Sequence, residues 1–306
     1  MNPVHDLAAR IRGGDASALA RAITWVENDD ERGLKLLEQL PAGNIPVLGI
    51  TGPPGAGKST LVDALVQLWV NEGRQIAVLA VDPSAPDGNG SLLGDRIRLA
   101  RHFLNPQVFI RSVSSRGASG GLSDHALDII YLLQQAPFDL IMVETVGIGQ
   151  TELDIASFAD CTVVVLTPQA GDEVQAMKSG LMDVADVFVV NKGDLVGAEW
   201  FASQLRQHAA LRRSGKKHKK TEPTPVLLTV ATTEQGIDSL SRLLDTLLAD
   251  DAPAEQRQQI LTLRLRRLIA REWMKKLPEE QLRMAIAQAP QPVHLYRLAC
   301  QLAERI

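Results

Sequence analysis

The chain has 306 residues, 45% of them hydrophobic and 22% charged, and a formal net charge of −4. That balance excludes a disordered polymer, and the slight acidity gives no electrostatic reason to expect nucleic acid as a partner. Two cysteines, Cys161 and Cys300, are too far apart for a CxxC pair and argue against a disulfide scaffold, and no apolar run reaches the length of a membrane span.

The N-terminus, Met1-Asn2-Pro3-Val4-His5-Asp6, carries no basic or apolar leader pattern, so a cytoplasmic protein away from membranes is expected. Residues 1–43 read as a helical extension. Leu7, Ile11, Leu19, Ile23, Leu36, Leu37 and Leu40 recur at helical spacing, with breaks at Gly13-Gly14 and at the acidic stretch 27–31. Residues 44–250 change character. Candidate strands at 45–50, 75–81, 107–113, 139–145, 161–166, 187–191 and 225–231 are short runs rich in Val, Ile and Leu. Helical patterns fall between most of them, at 59–72, 124–136, 173–183 and 236–249. Such alternation predicts βαβ units and a mainly parallel sheet covered by helices on both faces, with ligands beyond the carboxyl ends of the strands. Residues 251–306 return to helix as a C-terminal extension, and Cys300 there, like Cys161 in its strand, is expected to pack in a core. The basic run at 212–220 reads as a solvated surface loop.

Gly52-Pro53-Pro54-Gly55-Ala56-Gly57-Lys58-Ser59-Thr60 matches GxxxxGK[ST] directly after a predicted strand and at the start of a predicted helix. Glycines there let backbone N–H groups turn inward around phosphate oxygens, and the helix N-terminus adds its own unpaired donors. Lys58 is positioned to reach the β- and γ-phosphates, and the Ser59 hydroxyl to bind Mg²⁺. The motif indicates a nucleoside triphosphate and is silent on the base.

The base is indicated by Asn191-Lys192-Gly193-Asp194, an NKxD sequence at the end of a strand. A carboxylate at Asp194 can accept from guanine N1–H and N2–H together, whereas adenine offers no such donor pair. Lys192 can lie along the base, Asn191 can tie this loop to the phosphate loop, and backbone groups of Val230, Ala231 and Thr232 can face guanine O6. Glu144 in Glu144-Thr145-Val146-Gly147 can hold Mg²⁺ through water, and the Gly147 N–H can approach the γ-phosphate. Asp82 and Asp95 are two further carboxylates expected near the metal or the attacking water, although Asp95 equally suits a helix N-cap.

In this order, GPPGAGKST, VDPS, Gly90-Ser91-Leu92-Leu93-Gly94-Asp95, FIRS with SRGASGGL, ETVGIGQTE, QAGDEVQAMKSGLMDVAD and NKGD resemble the MeaB/ArgK type of P-loop GTPase. This is the group associated with methylmalonyl-CoA mutase and once described as transport-system kinases. The resemblance implies an α/β P-loop NTPase G domain over 44–250, with N- and C-terminal helical extensions at 1–43 and 251–306. It implies GTP/GDP and Mg²⁺ as ligands, slow GTP hydrolysis, and a chaperone role in which the protein gates cofactor loading of an adenosylcobalamin-dependent acyl-CoA mutase and protects it. It matches Lys58, Asp82, Asp95 and Glu144 to the nucleotide and metal site, and Gln169–Lys178, 82–95 and 144–152 to switch segments. A homodimer is implied as well, although the C-terminal tail is shorter than the extension on which family dimers rest.

Two other readings share the phosphate loop. One is a kinase acting on a small molecule or a periplasmic transport component, which would transfer phosphate from ATP. The other is a metal-insertion GTPase, which needs clustered thiolate or imidazole ligands that the six histidines and two cysteines do not form in the sequence.

Overall fold

The structure, a computed structural model, describes residues 3–82, 99–114, 124–145, 155, 158–168, 180–211, 223–249 and 254–303. Three helices open the chain: α1 (Pro3–Arg12), α2 (Ala16–Glu27) and α3 (Glu31–Gln39). Their starts follow from local chemistry. The Asp15 carboxylate accepts from the amides of Ser17 and Ala18 at the head of α2, and Asp30 accepts from the Arg32 amide at the head of α3. The Arg32 guanidinium on the same carboxylate, together with that amide, draws the Asp30 pKa down to about 2.

Among the described residues seven strands follow: β1 (Val47–Thr51), β2 (Ile76–Asp82), β3 (Val108–Ser114), β4 (Leu140–Thr145), β5 (Cys161–Leu166), β6 (Val187–Val190) and β7 (Val226–Leu228). They form one sheet in the order β3-β2-β4-β1-β5-β6-β7, and every neighbouring pair is parallel. β1, β4, β5 and β6 are buried along their whole length, which is why their sequences read as continuous apolar runs. β7 is shorter than the expected 225–231. Beyond Leu228 the Thr229 N–H still donates to the Val190 carbonyl of β6, the Thr229 carbonyl accepts from Gly193 in the loop that follows β6, and Val230 bridges antiparallel to Gln235.

Between the strands lie α4 (Lys58–Asn71), α5 (Asp124–Leu133), a short α6 (Leu181–Val184), α7 (Ala198–Leu211) and α8 (Ile237–Ala249). The weakly amphipathic α7 is absent from the sequence-based expectations, and of the helix expected at 173–183 only the last residues lie among those described.

Alternation along the strands sorts the apolar side chains between layers. Val47, Ile141 and Val143 face a core built with Leu7, Ile11, Ile23 and Leu36 of the N-terminal helices and with α5. Leu48, Ile50, Met142, Val163 and Val165 face the opposite core, built with Leu61, Leu65 and Trp69 of α4 and Leu240 and Leu244 of α8. Val164, Leu166, Phe188 and Val190 pack on α6 and α7. The N-terminal helices thus share a core with the sheet. The Arg111 guanidinium on the edge strand β3 pairs with the Glu27 carboxylate at the end of α2.

Residues Met1–Gln256 form one compact unit and Arg257–Ile306 a second. Helix α9 (Ala254–Lys275) runs into the second unit, which continues with α10 (Glu279–Gln288) and α11 (Leu295–Ala303). Neither α10 nor α11 buries a residue, and Cys300 is exposed on α11. This corrects the expectation of core packing for that cysteine, whereas Cys161 is buried in β5. Among the described residues no helix is long and apolar enough to cross a membrane.

Candidate functional site

Because the sheet is parallel, the carboxyl ends of its strands share one edge, and the singled-out residues that the structure describes gather there. β1 is central and delivers the chain to the loop 52–57, which opens α4. Gly52 has φ +140°, and a Cβ there would fall 2.0 Å from the Val165 carbonyl oxygen. Gly57 has φ +86°, and a Cβ there would fall 2.4 Å from Asn191 Nδ2. Both positions therefore demand glycine, for conformation and for close approach.

Lys58, Ser59 and Glu144 are all buried. Lys58 Nζ donates to the carbonyl oxygens of Gly52 (2.8 Å) and Pro53 (3.0 Å), so the ammonium lies along the inside of its own loop. Ser59 Oγ donates to Glu144 Oε1 at 2.7 Å, joining the first turn of α4 to the end of β4. One residue further on, Thr145 Oγ1 donates to Thr51 Oγ1 at 2.9 Å, and both threonines are buried.

Asn191 sits just beyond β6, and its backbone N–H continues the sheet by donating to the Leu166 carbonyl. Its side chain draws three segments together. Nδ2 donates to the Ala56 carbonyl at 2.9 Å, while Oδ1 accepts from Thr229 Oγ1 at 3.2 Å and from the Ala231 amide at 3.1 Å. Lys192 follows at φ +57°, and the Gly193 amide returns to the Thr229 carbonyl at 2.9 Å. The backbone turn leaves Asp194 exposed beyond the loop. Ala231–Thr233 form a 3₁₀ turn in which the Val230 amide goes to Gln235 and the Ala231 amide to Asn191.

Asp82 is the last residue of β2, where it lies opposite Ser114 of β3. Asp95, Gly147 and the expected switch residues Gln169–Lys178 lie outside the described residues. The pairing of Thr51 with Thr145 is not among the sequence-based expectations. Each threonine ends an apolar strand, but only the strand order makes β1 and β4 neighbours.

The donor set suits a hard divalent cation: a hydroxyl and a carboxylate, both oxygen donors, 2.7 Å apart and shielded from bulk water at the head of a helix. The glycine-lined loop and the first amides of α4 suit a polyphosphate.

The family profile described as "Methylmalonyl Co-A mutase-associated GTPase MeaB" matches residues 19–291. A putative GTPase from Pyrococcus horikoshii is 46% identical over 242 residues, covering 78% of this chain and 76% of that protein. A fused isobutyryl-CoA mutase from Cupriavidus metallidurans is 39% identical over 224 residues, 71% of this chain and 20% of that protein. Among solved structures, that of a protein named LAO/AO transport system kinase superposes with a TM-score of 0.71 at 29% identity, covering 99% of this chain and 98% of its own.

Proposed function

The chain belongs to the MeaB family of methylmalonyl Co-A mutase-associated GTPases, and on that premise we propose that it is a regulatory GTPase serving an adenosylcobalamin-dependent acyl-CoA mutase. It is a P-loop GTPase that hydrolyses GTP to GDP and phosphate. Its output in this reading is a conformational change that gates cofactor loading and protects the mutase. The observation that carries the mutase link is the fused relative, in which a GTPase-like segment and an acyl-CoA mutase share one polypeptide.

In the proposed mechanism, incoming phosphates compete with the Gly52 and Pro53 carbonyls for the Lys58 ammonium, which turns to the β- and γ-phosphates. The amides of 55–60 close around the phosphate oxygens. Ser59 and Glu144 would hold Mg²⁺, with Asp82 and Asp95 as further carboxylates toward it, and the bound ion would supply charge neutralisation on the transferring phosphoryl group. Asn191 braces the phosphate loop, Lys192 flanks the base and Asp194 accepts from guanine N1–H and N2–H. With the amides of Val230 and Ala231 engaged internally, the Thr232 amide is the one assigned to guanine O6. Gly147 would meet the γ-phosphate, and Gln169–Lys178 would carry the nucleotide state to the client.

We assign residues 44–250 to the GTPase domain, and 1–43 and 251–306 to helical extensions. A cytoplasmic setting suits two cysteines that form no disulfide. A homodimer is proposed on the exposed apolar side chains of α9, among them Leu261, Leu265 and Trp273.

The test is GTP hydrolysis by the purified protein with and without a methylmalonyl-CoA-type mutase, with ATP as control. Mutase-stimulated, GTP-selective turnover supports the reading. GTP-selective turnover indifferent to the mutase removes the mutase as client. Phosphate transfer from ATP to a small molecule or transport component would instead favour a kinase, the activity for which the structural relative is named.

A further inference from the structure

The end of β4 is held on two faces at once. Glu144 points to the α4 side and bonds Ser59, immediately after the phosphate loop. Thr145 points to the opposite side and bonds Thr51, immediately before that loop. The phosphate loop is therefore bracketed by two consecutive residues of one strand. The backbone register between β1 and β4 ends at Ile50 opposite Glu144, and from there Thr51 continues alongside β5, opposite Val164. The side-chain hydroxyls take over the connection to β4 where the backbone pairing stops.

The hydroxyl pair lies in an otherwise apolar layer. Both threonines are almost completely buried, and their neighbours on the same face of the strands are the apolar Val47, Ile141 and Val143. Valine would fill the same space and suit a buried strand as well. What valine lacks is the directional bond between strand ends.

We propose that the Thr51–Thr145 pair is a positioning device that keeps the Glu144 carboxylate level with the Ser59 hydroxyl, and so sets the Mg²⁺ requirement of GTP hydrolysis. This rests on Glu144 and Ser59 holding the metal. Without the pair, Thr145 keeps its backbone pairing with β2 but loses its side-chain tie to β1, and the Glu144 carboxylate beside it, still bonded by Ser59, has one lateral restraint fewer when it meets the ion. The cost then appears as weaker metal binding in the nucleotide complex, while the phosphate loop and the base loop are untouched.

The experiment measures GTP hydrolysis against Mg²⁺ concentration for the full chain and for Thr51→Val, Thr145→Val, the double variant and Thr51→Ser. GDP affinity in EDTA and thermal unfolding are followed in parallel. Loss of one ordinary hydrogen bond corresponds to roughly a three- to tenfold rise in the Mg²⁺ needed for half-maximal rate. That rise is expected in both single valine variants and in the double variant, with GDP affinity in EDTA unchanged. The double variant leaves no orphaned hydroxyl, so its thermal stability stays close to wild type and folding damage is excluded as the cause. Thr51→Ser retains the hydroxyl and the wild-type Mg²⁺ curve. Unshifted Mg²⁺ curves in the valine variants, or an equal loss of GDP affinity in EDTA, overturn the assignment. Wild-type hydrolysis indifferent to Mg²⁺ overturns the metal reading of Ser59 and Glu144, and this inference with it.

Discussion

Asp194 projects from a loop whose backbone is held by Lys192 in the left-handed region and by the Gly193–Thr229 bond, so its carboxylate is presented at the surface by backbone geometry. In the proposed reading, discrimination resides in the carboxylate's own hydrogen-bonding pattern. Asp194→Asn is expected to lower GTP affinity by at least about tenfold and to shift preference toward xanthine nucleotides, read by competition binding; unchanged GTP affinity would refute the base assignment. A second residue, His102, is buried beside Asp63 and Arg101, with Nε2 3.0 Å from Asp63 Oδ1. Burial lowers its pKa below the usual 6.5, more than the Asp63 carboxylate raises it. The unfolded chain therefore binds this proton more readily than the folded one, and stability falls as pH drops through about 6.5. Denaturant midpoints at about pH 7.5 and about pH 5.5, on either side of that value, should show the loss, and His102→Gln should reduce the difference. An equal difference in the variant would place the effect elsewhere.

At the scale of elements, α4 carries the first residues of the site, and α8 packs beside it. The fully buried Trp69 indole donates Nε1–H to Ser241 Oγ at 2.9 Å, and Arg74 pairs with Asp245 nearer the rim. Ser241→Ala would leave the indole N–H buried without its acceptor, costing about 1–3 kcal/mol of unfolding free energy in denaturant titration. The contact lies about three helical turns from Lys58, so GTP affinity should stay within about twofold; a large affinity loss would mean that α8 also sets the phosphate loop. The extent of each strand followed from apolar runs and matches to within a few residues, except β7. There the pattern 225–231 is as apolar as a strand, but beyond Leu228 the chain is engaged elsewhere: Thr229 and Ala231 bond Asn191, the Thr229 carbonyl accepts from Gly193, and Val230 pairs with Gln235.

At the scale of the whole molecule, the second unit exposes Leu261, Leu265 and Leu268 along α9 at spacings of four and three, the mark of one helical face. An apolar face of that kind seeks a cover. Sedimentation equilibrium should give a dimer for the full chain, and Leu261→Glu with Leu265→Glu should shift it toward monomer. A variant that stays dimeric would exclude this face as the contact. The N-terminal helices show the opposite case: their periodicity was plain in the sequence, but their burial against β1, β2 and β4 was not.

The sequence by itself determined the class of fold, the GTPase family and the residue types of the candidate site, because these are written in short contiguous patterns. GxxxxGKS after a strand, NKxD after another and Val-Ile-Leu runs between helices depend on neighbours along the chain, where backbone geometry and periodicity act. The tertiary structure decided what depends on neighbours in space. Strand order places Thr51 against Thr145, the parallel edge brings Ser59 to Glu144, and Asn191 joins loops from positions 56, 229 and 231. Such bonds are short in space and long in sequence, up to 135 residues apart; the NKxD motif points to a tie between Asn191 and the phosphate loop, but which atoms meet is set by the fold.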